Sequence, residues 1–300
     1  MRVGCPDQEI QQAQVYCTDK EFVGINISHD DQFNYFMNQT EIVKEANLTG
    51  AKEEKLPYPM GNLPPSKKDC TTEGQKQECA KYPYRKVVGQ LMYGMVHTLI
   101  TIMYAVNILS RYRNNSGPRH IEFPKHLLKY CKYAQLDRLM LATPTNIKTM
   151  TQVLQLKFQC DADLGGNQDN GHSHTSYTGY LGESVICWCS TDQGSVSTST
   201  AESESNRGIM NAMGWIQQPT VIQEDNQACV YASEAKHMTI HMTFGAGPVW
   251  FKEKVADGAC IIETVDSKEN NSDIGTKRVP IFIFEYLTHK LVDKSLRTNT

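Results

Sequence analysis

Residues 153–163 read "VLQLKFQCDAD", and from Leu154 onward apolar and polar side chains alternate. Leu154, Leu156, Phe158, Cys160 and Ala162 share one face; Gln155, Lys157, Gln159, Asp161 and Asp163 share the other. Period two is the signature of a half-buried strand. Two more strand-like runs follow, "TSYTGYLG" (175–182) and "SVICWCS" (184–190), joined at Gly182-Glu183, so a three-strand meander is predicted. Next comes "STAESE" (199–204), where Ser199 and Glu202 have capping-box spacing, which predicts a helix. A short strand "TVIQ" then ends at Glu224-Asp225-Asn226. A helical stretch, the strand "ACIIETVD" (259–266) and a terminal helical region complete the order. Strands alternating with helices in this way predict a mixed α/β layered fold.

Upstream the pattern differs. Residues 22–39 alternate around Asp30-Asp31 and predict two strands with a turn at the aspartates. Residues 50–83 are rich in Lys, Glu and Pro and read as a linker or surface-hugging excursion. Residues 84–139 look helical. Within them, 119–133 places Ile121, Leu128 and Cys131 on one stripe, with Pro124 expected in a first turn. The short "ATPTN" at 142–146 is a plausible boundary.

The charge is uneven. Between Lys81 and Arg138 ten Lys/Arg face two acids, a block of +8 in a chain of net −3, so the remainder carries −11. A basic block beside an acidic remainder suits a polyanion-facing segment next to a carboxylate-bearing one. Ten cysteines in 300 residues are too sparse for a disulfide scaffold. Neither Cys187-x-Cys189 nor His237-x-x-x-His241 makes a zinc-finger motif. The N-terminal residues show no signal-peptide apolar stretch, so an intracellular, reducing location in cytoplasm or nucleus is expected. Gly89–Ser110 is free of formal charge and approaches membrane-span length. Gln90, His97 and Asn107 argue instead for a buried helix broken near His97, with no membrane partner.

Four acids fall at element ends: Asp161 beside Asp163 in the first strand, Glu204 in the capped helix, Asp225 after the fourth strand, and Asp273 near the last helix. Hard divalent cations take oxygen ligands. Two such ions about 3.5–4 Å apart clamp the attacking and leaving oxygens of a phosphodiester displacement. Each acid also has an ordinary reading. Acids are common at such ends, Glu202 is explained as a cap, and Asp225 in "EDNQ" suits a turn or N-cap.

At these residues the sequence resembles the C-terminal part of copia-type (Ty/copia) retrotransposon polyproteins, from the end of the reverse transcriptase through its RNase H domain. The matching stretches are "YRKVVGQLMY" (84–93), "IMYAVNILSRY" (102–112), "CDADLGG" (160–166), "TSYTGYLG", "ICWCS" (186–190), "STAESE", "EDNQAC" (224–229), "FKEKVADG" (251–258) and "SDIGTK" (272–277), in family order. The resemblance implies an RNase H-like mixed sheet with flanking helices, preceded by a partial thumb/connection region. It divides the chain into 1–83 (palm end and linker), 84–149 (helical thumb/connection-like) and 150–300 (RNase H-like).

By resemblance the catalytic and metal-binding acids are Asp161, Glu204, Asp225 and Asp273, with two Mg²⁺ or Mn²⁺ ions as cofactors. The implied reaction is cleavage of the RNA strand of an RNA–DNA hybrid, and the remaining polyprotein segments are expected partners. Arg85, Lys86, Arg111, Arg113, Lys125, Lys129 and Lys132, interleaved with tyrosines, are expected nucleic-acid contacts. No Tyr-x-Asp-Asp motif occurs, so polymerase activity is not expected. Behind Glu204 the family helix is shortened to "NRG" at 206–208. The alternative is therefore a catalytically inactive fragment acting at most as a nucleic-acid-binding module.

Overall fold

The computed structural model describes residues 20–29, 35–38, 41–46, 48, 50–61, 65–69, 72–141, 155–163, 167, 169–192, 219–225, 230 and 255–299. Its strands in chain order are β1 (Lys20–Phe22), β2 (Ile25–His29), β3 (Tyr35–Asn38), β4 (Arg138–Leu141), β5 (Leu156–Asp163), β6 (His174–Leu181), β7 (Ser184–Asp192), β8 (Thr220–Glu224), β9 (Cys260–Thr264) and β10 (Val292–Asp293). The helices are α1 (Glu41–Glu45), α2 (Glu73–Cys79), α3 (Tyr84–His97), α4 (Met103–Ser110), α5 (Pro118–Tyr133), α6 (Asp273–Thr276) and α7 (Ile281–His289).

The strands form two sheets, β1-β2-β3-β4-β10 and β7-β6-β5-β8-β9. In the second, β5, β6 and β7 make the expected antiparallel meander, while β8 and β9 add in parallel on the other side of β5. Parallel neighbours need crossovers, which is why β8 and β9 are far apart in sequence. This is the RNase H-like mixed sheet that the resemblance implies. In the first sheet, β2 and β3 realise the two strands expected in 22–39. β1 joins β2 through Val23-Gly24, both at positive φ (51° and 75°), the backbone of a type I′ hairpin turn. Tyr93 Oη donates to the Val23 carbonyl at 2.6 Å and ties this turn to α3.

The apolar run 89–110 is divided. Thr98 and Leu99 N–H both turn back to Gly94 O, α3 stops at His97, and a 3₁₀ turn (Ile100–Ile102) leads into α4. Ile102, Met103, Ala105, Val106 and Leu109 are fully buried, which accounts for the absence of charge. Asn107, the polar exception, donates from Nδ2 to Ser190 O on β7 at 2.8 Å. Among the described residues no helix is long and apolar enough to cross a membrane.

One expectation needs correction. Pro124 lies in the interior of α5, buried, not in its first turn. Gly117 caps the helix in extended conformation, its N–H donating to His120 Nδ1 at 2.8 Å, and Pro118 takes the first helical position, where its fixed φ suits. The polar face of β5 is covered, with Gln159 and Asp161 only 5% and 7% exposed. The segment 266–272 and α6 cover it. Alternation shows two faces but not which of them a later segment will cover.

The excursion at 50–61 is pinned at several points: His126 Nε2 meets Leu56 O at 3.0 Å, Arg278 Nη1 donates to Pro59 O at 2.9 Å, and Tyr58 enters the core. Tyr58 is buried, its ring packs edge-on against Tyr104 and Phe284, and its hydroxyl donates to Val279 O (3.1 Å) while accepting from Val279 N–H (2.8 Å). The expected helix at Ser199 with Glu202 and Glu204, the "NRG" behind it, the Asp30-Asp31 turn, "ATPTN", Leu154, His237 and His241 lie outside the described residues.

Candidate metal centre

Asp161 lies in β5, Asp225 directly follows β8, and Asp273 opens α6. The parallel register that pairs Cys160 with Glu224 brings the next residues, Asp161 and Asp225, level with each other. Side-chain hydrogen bonds in the segment before α6 deliver Asp273. Asn270 Nδ2 donates to Cys160 O (2.8 Å) and Ser272 Oγ to Gln159 O (2.6 Å). Asn271 N–H donates to Gln159 Oε1 (3.0 Å), and its Nδ2 donates to Tyr180 Oη (2.7 Å). "NNS" at 270–272 thus grips β5 just ahead of Asp161. The result is three carboxylates, each able to offer one oxygen, with those oxygens within 4.8 Å of one another.

Gly275 lets α6 come this close. A Cβ there would sit 2.1 Å from Ser176 Oγ and 2.6 Å from Met103 Cε. Its carbonyl accepts from Ser190 Oγ at 2.6 Å, and Ser190 Oγ in turn meets His174 Nε2 at 2.8 Å. His174 Nδ1 faces Asp192 Oδ1 (2.8 Å) and Arg111 Nη2 (3.0 Å), and Arg111 also pairs with Asp192. Burial holds His174 below the usual imidazole pKa. Because the Ser190 proton goes to Gly275, this Ser–His–Asp array is a brace between helix and sheet, not an activated nucleophile.

Thr276 Oγ1 donates to Asp161 Oδ2. Lys277 Nζ lies 2.9 Å from Asp273 Oδ1 and 3.7 Å from Asp161 Oδ2. Burial pushes the Asp273 carboxyl up to about 6; Lys277 opposes the shift, and the like charges of Asp161 and Asp225 add to it. Burial works against the Lys277 charge, but Asp273, Asp161 and Asp225 together hold it above the usual lysine pKa. Despite the nearby ammonium, buried Asp273 Oδ1 receives no well-directed hydrogen bond. Three converging hard oxygen donors fit a divalent cation of the Mg²⁺ or Mn²⁺ kind.

Glu204 lies outside the described residues. Of the basic residues, Arg85, Lys86 and Arg113 are exposed and line one open cavity of about 440 Å³ together with Tyr82, Asn114 and Asn115. Arg85 is braced there, donating from Nε to Arg113 O (3.0 Å) and from Nη2 to Asn114 Oδ1 (3.2 Å). Arg111 instead turns inward to Asp192. Lys125 pairs with Glu122 at 3.0 Å, Lys132 donates to Ala51 O at 3.0 Å, and Lys129 is half-buried. Tyr84, Tyr104, Tyr112 and Tyr130 are buried in the core. Sequence reasoning singled out Asp273 in "SDIGTK" but passed over Gly275, Thr276 and Lys277, which shape its surroundings; their signal was only adjacency to an acid.

The sheet, with Asp161 in β5, Asp225 after β8 and Asp273 at the head of α6, is RNase H-like. The chain is 31% identical over 264 residues to the retrovirus-related Pol polyprotein from transposon TNT 1-94 of Nicotiana tabacum, covering 81% of this chain and 19% of that protein. With the Pol polyprotein from transposon RE1 of Arabidopsis thaliana it is 28% identical over 231 residues, 69% of this chain and 15% of that protein. The chain belongs to the copia-type retrotransposon Pol polyproteins, and it spans less than a fifth of the length of these curated relatives. Among solved structures, the N-terminal RNase H domain of rv2228c from Mycobacterium tuberculosis, fused to maltose-binding protein, aligns with 45% of this chain and 97% of its own at 10% identity and TM-score 0.29. No family model matches.

Proposed function

We propose that this chain carries an RNase H-type nuclease centre that cleaves the RNA strand of an RNA–DNA hybrid. The convergence of Asp161, Asp225 and Asp273 within 4.8 Å is the observation that carries this reading. In it these acids, with Glu204 as the fourth, hold two divalent ions. When bound, Mg²⁺ or Mn²⁺ supplies Lewis-acid charge and lowers the pKa of coordinated water. The chain's own part is to fix the oxygens: Thr276 orients Asp161, and the Asn270–Ser272 segment orients Asp273.

Arg85, Lys86 and Arg113 contact backbone phosphate, with Lys125, Lys129 and Lys132 as weaker contributors. Arg111 serves the fold. Residues 84–149 act as a thumb/connection-like platform for the hybrid beside the RNase H-like region, and the remaining polyprotein segments supply what this chain lacks. The reaction belongs where such hybrids form, in cytoplasm or nucleus.

A second reading, a binding module without cleavage, draws on Lys277, whose ammonium already sits between Asp161 and Asp273. The test is cleavage of a labelled RNA–DNA hybrid with Mg²⁺ by wild type and Asp161→Asn. Cleavage by wild type alone supports the nuclease. Salt-dependent hybrid binding by both, with cleavage by neither, replaces it with the binding module.

A further inference from the structure

Lys277 joins the acid cluster from an unusual position. It follows α6, its backbone is extended (φ −142°, ψ 167°), and its N–H bonds back to Asp273 O at 3.3 Å. The side chain is 40% exposed, so it reaches in from solvent instead of being locked in the core. Its ammonium touches Asp273 Oδ1 at 2.9 Å and stands 3.7 Å from Asp161 Oδ2. The groups facing it are Asp161, Asp225 and Asp273, with the Thr276 hydroxyl committed to Asp161.

Three carboxylates this close repel one another unless a cation or proton intervenes. We propose that Lys277 is the cluster's own counter-ion: without metal its ammonium holds the acids together, and a divalent ion binds by displacing it. The geometry fits a replaceable cation. The ammonium makes one close contact, 2.9 Å to Asp273 Oδ1, and stands 3.7 Å from Asp161 Oδ2, so its hold on the cluster is one that a divalent ion can replace. The half-exposed stem gives the ammonium a short path back to water. A divalent ion brings twice the charge and replaces one ammonium, so the exchange is favourable but costs the lysine's pairing. The cluster's metal affinity is thereby set below what three bare carboxylates would give. This inference rests on the metal reading above.

The experiment titrates Mn²⁺ into the full metal-free chain by calorimetry and records thermal midpoints without metal. Wild type is compared with Lys277→Met, which keeps the stem and loses the charge, and Lys277→Arg, which keeps the charge. Lys277→Met is expected to bind Mn²⁺ about tenfold more tightly, a gain of about 1.4 kcal/mol, and to melt lower than wild type without metal. Lys277→Arg is expected to stay near wild type in both. Equal or weaker Mn²⁺ binding by a folded Lys277→Met overturns the displacement. An unchanged metal-free midpoint overturns the counter-ion role. Absence of Mn²⁺ binding by every variant, with the metal-free midpoint of Lys277→Met still lowered, overturns displacement through failure of the metal reading and leaves the counter-ion role supported.

Discussion

Gly275 and Ser176 meet so closely that a Cβ on the glycine would lie 2.1 Å from the serine Oγ. The contact seats α6 on β6 and fixes where Asp273 stands. Ser176 is fully buried and cannot swing out to make room. Gly275→Ala is expected to cost about 1–3 kcal/mol in denaturant unfolding through overpacking and to weaken Mn²⁺ binding by displacing Asp273. Unfolding curves and calorimetry on one preparation check both.

The pH response of the metal-free chain follows from Asp273, pushed up to about 6. Between roughly pH 4 and 6 the folded carboxyl holds a proton that the unfolded chain has lost, so stability falls as pH rises through that window. Asp137, buried and also raised to about 6 although paired with Arg297, contributes with the same sign. Asp273→Asn should remove one share of the slope and leave the other, as thermal midpoints from pH 4 to 7.5 will show. Mn²⁺ affinity runs the opposite way, falling as pH drops below about 6, because ligands must be deprotonated.

Arg111 and Arg113 are two residues apart and have different roles. Arg111→Ala leaves Asp192 and buried His174 without their cation, and a loss of about 2–4 kcal/mol is expected for breaking a largely buried pair. Arg113→Ala is expected to change stability by less than about 0.5 kcal/mol. In hybrid binding, Arg113→Ala should reduce the slope of log affinity against log salt by about one. A salt slope lost by Arg111→Ala with the fold intact would contradict this division.

Ser272→Ala removes the hydroxyl that donates to Gln159 O at 2.6 Å inside the buried network. A cost of about 1–2 kcal/mol is expected for leaving that carbonyl short of a partner. Hydrogen exchange in 266–276 should quicken in the variant while the β6–β7 pair stays protected.

The meander from Leu156 to Asp192 was legible because alternation and a glycine turn are local signals. Asp161 was legible as an acid on the polar face of a strand. Its meeting with Asp225 was not, because a parallel register links segments that no short-range period connects. The covering of Gln159 and Arg111 was not legible, because a polar residue on a patterned face looks solvent-facing until another segment covers it. Pro124 was placed too early because Arg119 and His120 masked a helix start that Gly117 and Pro118 define. The family resemblance, more than any spacing, chose Asp273 from the acids of the C-terminal part.

The hydroxyl of Tyr58 and the backbone of Val279, 221 residues apart, complete each other's hydrogen bonds. During synthesis the segment around Tyr58 leaves the ribosome long before its partner exists. That buried phenol must wait, solvated, until the chain has been made past α6. The Tyr58 anchor of the early excursion therefore closes only after α6 has been made, and a nascent chain halted before residue 279 would leave its hydroxyl without that partner.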